Sequence, residues 1–464
     1  MGGDGSILEI VGAVAAVWFS AVEKFPQEMN AKSNPVIIGK SVFLDSIKLL
    51  FQKLNYEFFI AKRIIGNKTY KSSVSAPIIK IGIAAIAIGI IVMLIAIATG
   101  IGLQQKIRDK VVAFNGHVTI TNFDTNTSDE SASPISTQQD FYPKFDSVEG
   151  VTHIQAVATK FGVVRTESDF EGIVFKGVGS DYDWRYFQEF LVAGRLPDFA
   201  ETVSNEVLVS QYLADRMGFA VGDAFQTLFG KEDIGQIPFI RAFTVVGIYN
   251  SGFQELDEKY VMGDLKHIQR MNKWLPDEVG NFEVFIDDFS KIEAKGLEIY
   301  EAIPSKLNAQ TVSQKYYSIF EWIKIFDNNT YGIICMMLLV AGINMITALL
   351  VLILERTNMI GILKALGSSN WSIRKLFLYN AAYLIGLGLL WGNTIGISLL
   401  LAQKYFKLIP LDPSVYYVTE APVYISWDYI LLLNLGTFFV CLLMLLVPSV
   451  IITKITPVKA IRFE

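Results

Sequence analysis

Four apolar runs constrain this chain more than anything else in it: Ile78–Leu103, Tyr331–Leu354, Leu376–Ala402 and Tyr429–Ile452, with Lys80 the one charge among them. A helix needs about 20 mainly apolar residues to cross a hydrocarbon core of about 30 Å, and each run is long enough. Pro77 opens the first at a favourable helix start, Lys80 lies near enough to the edge to snorkel, and Pro448 falls close to the end of the fourth. Asn344, Asn380, Asn393 and Asn434 lie inside the runs. An amide in lipid is costly unless it faces another helix or a cavity, so these are expected at helix–helix contacts, with a substrate contact as the alternative. Cys335 and Cys441 also fall in apolar runs and read as small buried residues.

Charge sets the sidedness. Between Gln104 and Thr330 stand 34 acidic and 21 basic residues, and the remaining 11 acidic and 19 basic residues lie around the spans. Lys40, Lys48, Lys53, Lys62, Arg63, Lys68, Lys71 and Lys80 precede or open the first span. Arg356, Lys364, Arg374 and Lys375 fill the short loop after the second, and Lys454, Lys459 and Arg462 follow the fourth. Four crossings place these three basic segments on one side, the cytoplasmic one. The expected fold is therefore membrane α-helical, with four transmembrane helices and a large mixed α+β extracytoplasmic domain. Its parts are a cytoplasmic N-terminal segment 1–77, spans 78–103, 331–354, 376–402 and 429–452, and an outer domain 104–330. A cytoplasmic loop 355–375, an outer loop 403–428 and a cytoplasmic tail 453–464 complete it. Ile7–Phe19 is apolar but only 13 residues long, and is expected as an interfacial helix or an extension rather than a fifth span. The acidic balance excludes nucleic acid as a partner.

Within the outer domain, Thr121–Thr137 is rich in Asn, Thr, Ser and Asp and predicts an exposed flexible loop. Glu206–Val209 predicts a strand, Ser210 the cap of a helix that stops at Gly218, and Ala224–Phe229 and Ala242–Tyr249 further strands. Gly263–Trp274 reads as a helix and Phe282–Ile286 as a strand. Catalytic chemistry finds no footing. His117, His153 and His267 are scattered without metal-type spacing, and no nucleophile elbow or phosphate-binding loop occurs. The acidic pairs Asp257–Glu258 and Asp287–Asp288 lack convergent partners and read as solvated surface. No catalytic residue, no metal and no cofactor is expected on this chain.

The loop between the second and third spans reads Glu355-Arg356-Thr357-Asn358-Met359-Ile360-Gly361-Ile362-Leu363-Lys364-Ala365-Leu366-Gly367, and the chain ends Pro457-Val458-Lys459-Ala460-Ile461-Arg462-Phe463-Glu464. Together these resemble the signatures of FtsX/MacB-type ABC transporter permeases, with Met359 where an acidic residue is usual. A short amphipathic helix there would set Ile362, Leu363 and Leu366 in a groove of a partner ATPase, with Gly361 and Gly367 bending the chain at its ends. Within the superfamily the chain is more similar to the lipoprotein-releasing (Lol) permeases, over about 410 residues from Glu57-Phe58-Phe59-Ile60-Ala61-Lys62-Arg63 to the end. That likeness takes in Gly194-Arg195-Leu196-Pro197, Val221-Gly222-Asp223, and Phe243–Tyr249 followed by Asp257. Gly235-Gln236-Ile237-Pro238-Phe239-Ile240-Arg241 looks like the downstream arm of a protruding loop that grips a periplasmic carrier chaperone, with Ile240 at a usually polar place; a plain β-hairpin is the alternative.

The resemblance implies a MacB-type periplasmic core domain and a non-catalytic permease subunit in the cell inner membrane, both termini cytoplasmic. Its implied partners are a separate ABC ATPase that binds ATP and Mg, a second permease chain (a copy or a paralogue), a lipoprotein substrate, a periplasmic lipoprotein carrier and membrane lipid. The implied coupling residues are Glu355, Arg356, Gly361, Ile362, Leu363, Lys364, Ala365, Leu366 and Gly367, and the implied chaperone-docking residues Gln236, Ile237, Pro238, Phe239 and Arg241. Small residues on the first span (Gly82, Ala85, Gly89, Ala96, Gly100) would permit close helix approach. Two alternatives keep the superfamily and change the task. One is a MacB-like efflux permease for peptides or antibiotics, which normally carries a fused ATPase. The other is an FtsX-like signalling permease controlling cell-wall hydrolases, whose outer domain is typically much smaller. An enzyme with a membrane anchor is a further, different class.

Overall fold

The computed structural model describes residues 75–123, 129–166, 169–199, 202–231 and 237–455. The apolar N-terminal stretch Ile7–Phe19, the Glu57–Arg63 segment, Gln236 and the Pro457–Glu464 ending lie outside the described residues. The chain divides into two units: residues up to Ile101 with 325–408 and 423–464, and residues 102–324 with 409–422.

The first unit is a helix bundle. Its helices are Ser75–Asn115, Tyr317–Glu355, Asn370–Phe406 and Trp427–Met444, the last continued by single turns at Leu446–Ser449 and Ile451–Lys454. All four are long and apolar enough to cross a membrane. The break in the fourth coincides with Pro448, which has no N–H to donate back along the helix. The first three helices are longer than their apolar runs, because the polar and charged residues beyond each run continue the same backbone hydrogen bonding.

Small residues decide how the bundle packs. On one face of the first helix, Gly82 lies against Ala348 and Met345, Gly89 against the Met337 carbonyl and Gly100 against Thr330, all on the second helix. An adjacent face carries Ile86, Ile90 and Leu94, and these meet Gly388, Gly392 and Gly396 of the third helix in the same order. Three glycines at four-residue spacing form a groove, and three branched side chains at the same spacing fill it. Asn393 and Asn434 clasp the third helix to the fourth: each amide donates to the other's oxygen, at 2.6 and 2.9 Å, and also to its own helix. The expected helix–helix role of these two asparagines is what the bundle uses them for. Asn344 donates to the Val340 carbonyl of its own helix.

The second unit is built on one sheet in the order β12-β1-β11-β3-β4-β9-β6-β8-β5, with β7 pairing both β3 and β8. The strands are β1 Val118–Asn122, β2 Ile135–Ser136, β3 Val151–Arg165, β4 Phe170–Val178, β5 Leu191–Gly194 and β6 Glu206–Ser210. They continue as β7 Ala224–Phe229, β8 Phe239–Tyr249, β9 Tyr260–Asp264, β10 Glu278–Val279, β11 Asn281–Ile286 and β12 Leu307–Thr311. β3 is 15 residues long and serves two assemblies. Its first half pairs with β11, and its second half pairs with β4 on one side and β7 on the other. Because β7 also pairs with β8, strands β3-β4-β9-β6-β8-β7 close into a ring. Phe175, Phe229 and Phe243 pack inside it, Phe175 stacked on Phe243 at 4.9 Å. Burial of such rings is the main source of the domain's stability.

Local signals end the elements as their chemistry requires. Ser210 accepts from the Leu213 N–H at the start of the helix Gln211–Met217, and Gly218 closes it in the left-handed conformation. Two expectations need correction. The span Gly263–Trp274 is not one helix: Gly263 and Asp264 belong to β9, and the helix is Lys266–Asn272. The polar stretch Thr121–Thr137 is not simply an exposed loop either. Ser131 is buried and hydrogen-bonded to Thr159, Asp129 pairs with Lys259, and Ile135–Ser136 forms β2 against β10.

Among the described residues of this unit, one ion pair has both partners deeply buried. Lys176 on β4 reaches Glu283 on β11 at 2.6 Å, and its ammonium also donates to the Phe114 carbonyl at 2.7 Å. Gln155 donates to the other carboxylate oxygen at 2.9 Å, so the buried charges are paired and bonded on both sides.

Candidate functional site

Between the second and third membrane helices the chain makes an elbow. Arg356 leaves the helical conformation, Thr357–Ala365 forms a short helix, and the third helix begins at Asn370. The turn into the third helix is built from capping chemistry. At the C-terminal end the Ser368 N–H donates to the Leu363 carbonyl and the Gly367 N–H to the Lys364 carbonyl, each at 3.0 Å. This double return requires a left-handed residue at 367, where glycine sits at φ +90°. Ser369 then caps the third helix through the Ser372 N–H. The result is a rigid corner rather than a slack loop.

The short helix has two apolar stripes. Ile360 and Gly361 are buried, and Met359 and Leu363 pack half-buried against the bundle core. Ile362 and Leu366, one turn apart, point away from it and are 53% and 77% exposed. Ala365 and Asn358 are exposed with them. Leu363 was expected beside Ile362 and Leu366 on an outward face, and it faces inward instead, because it follows Ile360 by three residues on the buried stripe. Gly361, expected as a bend, lies inside the helix; only Gly367 turns the chain.

Lys364 has a role that the motif alone did not suggest. Its ammonium donates to the Ile452 carbonyl at 2.7 Å, the Ile455 carbonyl at 2.6 Å and the Thr453 carbonyl at 3.5 Å. A cation placed on the last free carbonyls of a helix satisfies them and suits their dipole, so Lys364 fastens the elbow to the end of the fourth membrane helix. Glu355 is exposed and Arg356 half-buried at the elbow's entry.

The second candidate is the tip between β7 and β8. The two strands pair antiparallel from Ala224↔Thr244 to Phe229↔Phe239. Ile237 is 79% exposed, Pro238 and Phe239 are half-buried, and Ile240 is exposed on the outer face of β8. Two cations flank the Phe239 ring, Lys231 at 4.7 Å and Arg241 at 5.8 Å. An aromatic held between two cations beside an exposed branched residue is a surface that can bind apolar and anionic groups together.

Nothing among the described residues is arranged for catalysis. No group of three or more His, Cys, Asp or Glu is placed to hold a metal ion. Each histidine spends a ring nitrogen on the backbone: His117 with the Ile286 N–H, His153 with the Asp181 carbonyl and His267 with the Ser204 carbonyl. Asp257, expected on the solvated surface, is buried and accepts from Ser251 and Gly252, and burial raises its carboxyl to about 6. Asp288 caps the short turn Phe289–Lys291.

Comparison with known proteins finds two family matches along the chain. Residues 331–457 match the FtsX-like permease C-terminal family, and residues 81–294 match the MacB-like periplasmic core domain. The chain is 22% identical over 403 residues to the lipoprotein-releasing system transmembrane protein LolC of Neisseria meningitidis serogroup B, covering 83% of this chain and 94% of that one. It is 22% identical over 424 residues to the LolE protein of the same system in Haemophilus influenzae, covering 88% and 99%. Among solved structures, the periplasmic region of MacB from Actinobacillus actinomycetemcomitans aligns with 45% of this chain and 95% of its own, at 12% identity and a TM-score of 0.30. The chain is thus a membrane protein with four apolar helices and a MacB-like periplasmic domain.

Proposed function

We propose, for a chain that carries an FtsX-like permease C-terminal region and a MacB-like periplasmic core domain, that it is the permease subunit of an ABC transporter. In this role it draws lipoproteins out of the inner membrane and hands them to a periplasmic carrier. The polypeptide does no chemistry itself and binds no cofactor. A separate ATPase subunit holds ATP and Mg, and two permease chains, identical or paralogous, share the work. Both termini and the elbow are cytoplasmic, in keeping with the Lys and Arg around them.

An external energy source is a physical necessity for this task. Removing acyl chains from lipid costs about 0.8 kcal/mol per CH₂, so two or three chains demand far more than thermal motion supplies. Energy has to enter through a rigid contact. The observation that best supports the assignment is the pair Ile362 and Leu366, exposed on a helix that is capped at its end and tied by Lys364 to the fourth span. Such a pair is suited to a groove on the ATPase, and motion imposed there reaches the third and fourth helices without loss in a soft loop. At the other side, Ile237, Pro238, Phe239 and Arg241 form the surface proposed to receive the carrier, together with Gln236 of the same segment.

The test is co-purification of the full chain with its ABC ATPase. Ile362→Glu combined with Leu366→Glu should abolish association while the bundle remains folded, because a groove that receives apolar side chains rejects two carboxylates. Leu363→Glu should instead destabilise the bundle itself. Normal recovery of the ATPase with the doubly charged variant refutes the assignment of this elbow, and recovery of a tunnel protein or a wall hydrolase in place of a lipoprotein and carrier changes the cargo.

A further inference from the structure

The connection between the third and fourth membrane helices belongs, by its contacts, to the soluble unit: residues 409–422 group with residues 102–324. It is a small hairpin. Pro410 bridges Glu420, the Leu411 N–H donates to the Thr419 carbonyl, and the Ala421 N–H donates to the Ile409 carbonyl, both at 3.0 Å. Asp412 caps the single helical turn Pro413–Tyr416 through the Ser414 N–H.

At its tip Tyr417 occupies the left-handed region, at φ +59°. Glycine or asparagine takes that conformation at less cost, so the presence of tyrosine asks for a reason in its side chain. The reason is visible. The ring stacks on Phe253 at 4.6 Å and 19°, and Trp322 meets it edge-on at 5.4 Å and 87°. The Tyr417 carbonyl accepts from the Lys110 ammonium at 3.0 Å. Gly252 leaves room for the same approach: a Cβ there would come within 3.2 Å of the Thr419 methyl. Val418 and Phe253 are buried beside it.

These partners come from three separate places in the chain. Lys110 lies in the first long helix, Trp322 in the second, and Phe253 between β8 and β9. We infer that Tyr417 is a positioning residue. It clasps the hairpin joining the third and fourth membrane helices onto the soluble domain, and so delivers a shift of those helices to the junction of Lys110, Phe253 and Trp322. The clasp is independent of any partner; its use in transport rests on the proposed permease function.

Hydrogen exchange on the full-length protein in nanodiscs tests the clasp. Tyr417→Ala should raise exchange at the Leu411 and Ala421 amides by roughly 10- to 100-fold, the scale set by two lost aromatic contacts. Tyr417→Gly should do the same although it relieves the backbone, which separates the ring's contribution from strain. Tyr417→Phe, which keeps the ring, and Val415→Ala, at an exposed neighbour on the same hairpin, should leave exchange unchanged. Wild-type exchange in both the alanine and glycine variants overturns the clasp. In the complex reconstituted with its ATPase, Tyr417→Ala should retain ATP hydrolysis while cargo release falls at least roughly 10-fold. Release at the wild-type rate from a chain whose hairpin has been loosened overturns the transmission role. Failure of the unmodified chain to assemble with an ATPase instead sinks the permease function and leaves the exchange result standing.

Discussion

Replacing Gly392 with alanine is the sharpest probe of how the membrane bundle holds together. A Cβ at this position would lie 2.8 Å from Ile90 Cβ and 2.9 Å from the Ala87 carbonyl oxygen. Carbon atoms rest at about 3.5–4.0 Å, so something must retreat by most of an ångström. The Ala87 oxygen is backbone inside the first helix and cannot move alone, which leaves displacement of one helix against the other. Overpacking of this kind costs about 1–3 kcal/mol. Alanine also favours the helix by about 1 kcal/mol relative to glycine, which partly offsets the cost. Gly386→Ala supplies the control: it lies on the same helix, and a Cβ there meets nothing within 4 Å. The propensity gain cancels between the two variants, and their difference isolates the packing penalty. A thiol-reactive dye reads it out, because Cys441 is fully buried in the same bundle, provided that the half-buried Cys335 is first replaced with alanine. Dye access to Cys441 should be roughly 5- to 150-fold greater in Gly392→Ala than in Gly386→Ala, the ratio that 1–3 kcal/mol implies. Equal access in the two variants would refute the claim that the glycine row of the third helix is filled by Ile86, Ile90 and Leu94.

Three further outcomes follow from the structure. Lys176→Met strands the buried Glu283 carboxylate and should cost about 3–5 kcal/mol in thermal unfolding of the full chain, and adding Glu283→Leu should recover most of it; equal losses in single and double variants would show that the pair is not what the site depends on. Burial lowers His117 to about 4, so the folded state binds fewer protons there than the unfolded chain. Its contribution is complete above pH 6.5 and is lost as pH falls through about 4, some ~3 kcal/mol in total, and His117→Asn, which keeps an acceptor for the Ile286 N–H, should flatten that part of the profile. Lys364→Met uncaps the end of the fourth helix and should raise amide exchange across residues 357–366 by roughly 10-fold, whereas unchanged exchange would reduce Lys364 to a bystander.

The four membrane helices were legible because hydropathy over 20 residues is a long, redundant signal. So were Ser210 and Gly218, whose capping chemistry is local. β9 was hidden because all five of its residues are buried, so no alternation marks it, and Gly263 resembles a turn although its missing side chain makes room for Phe175. The polar stretch around Ser131 misled for the opposite reason: its hydroxyl bonds inward to Thr159 rather than to water. At the elbow, Ile360 and Leu363 form one apolar stripe and Ile362 and Leu366 another on the far side, so composition cannot say which stripe meets the bundle. Lys364 looks in sequence like any basic loop residue, since its acceptors lie about 90 positions away. The row Gly388, Gly392, Gly396 stands at four-residue intervals in the sequence, but spacing alone does not say which helix fills it, and the first helix has glycines of its own.

By pairing with both β3 and β8, β7 leaves the large sheet of the second unit, among the described residues, with two terminal strands, β5 and β12, of four and five residues. Unpaired strand borders are what recruit neighbouring polypeptides into aggregates. A sheet with so little open border offers few places for such pairing. The closed ring is in itself a guard against pairing between sheets.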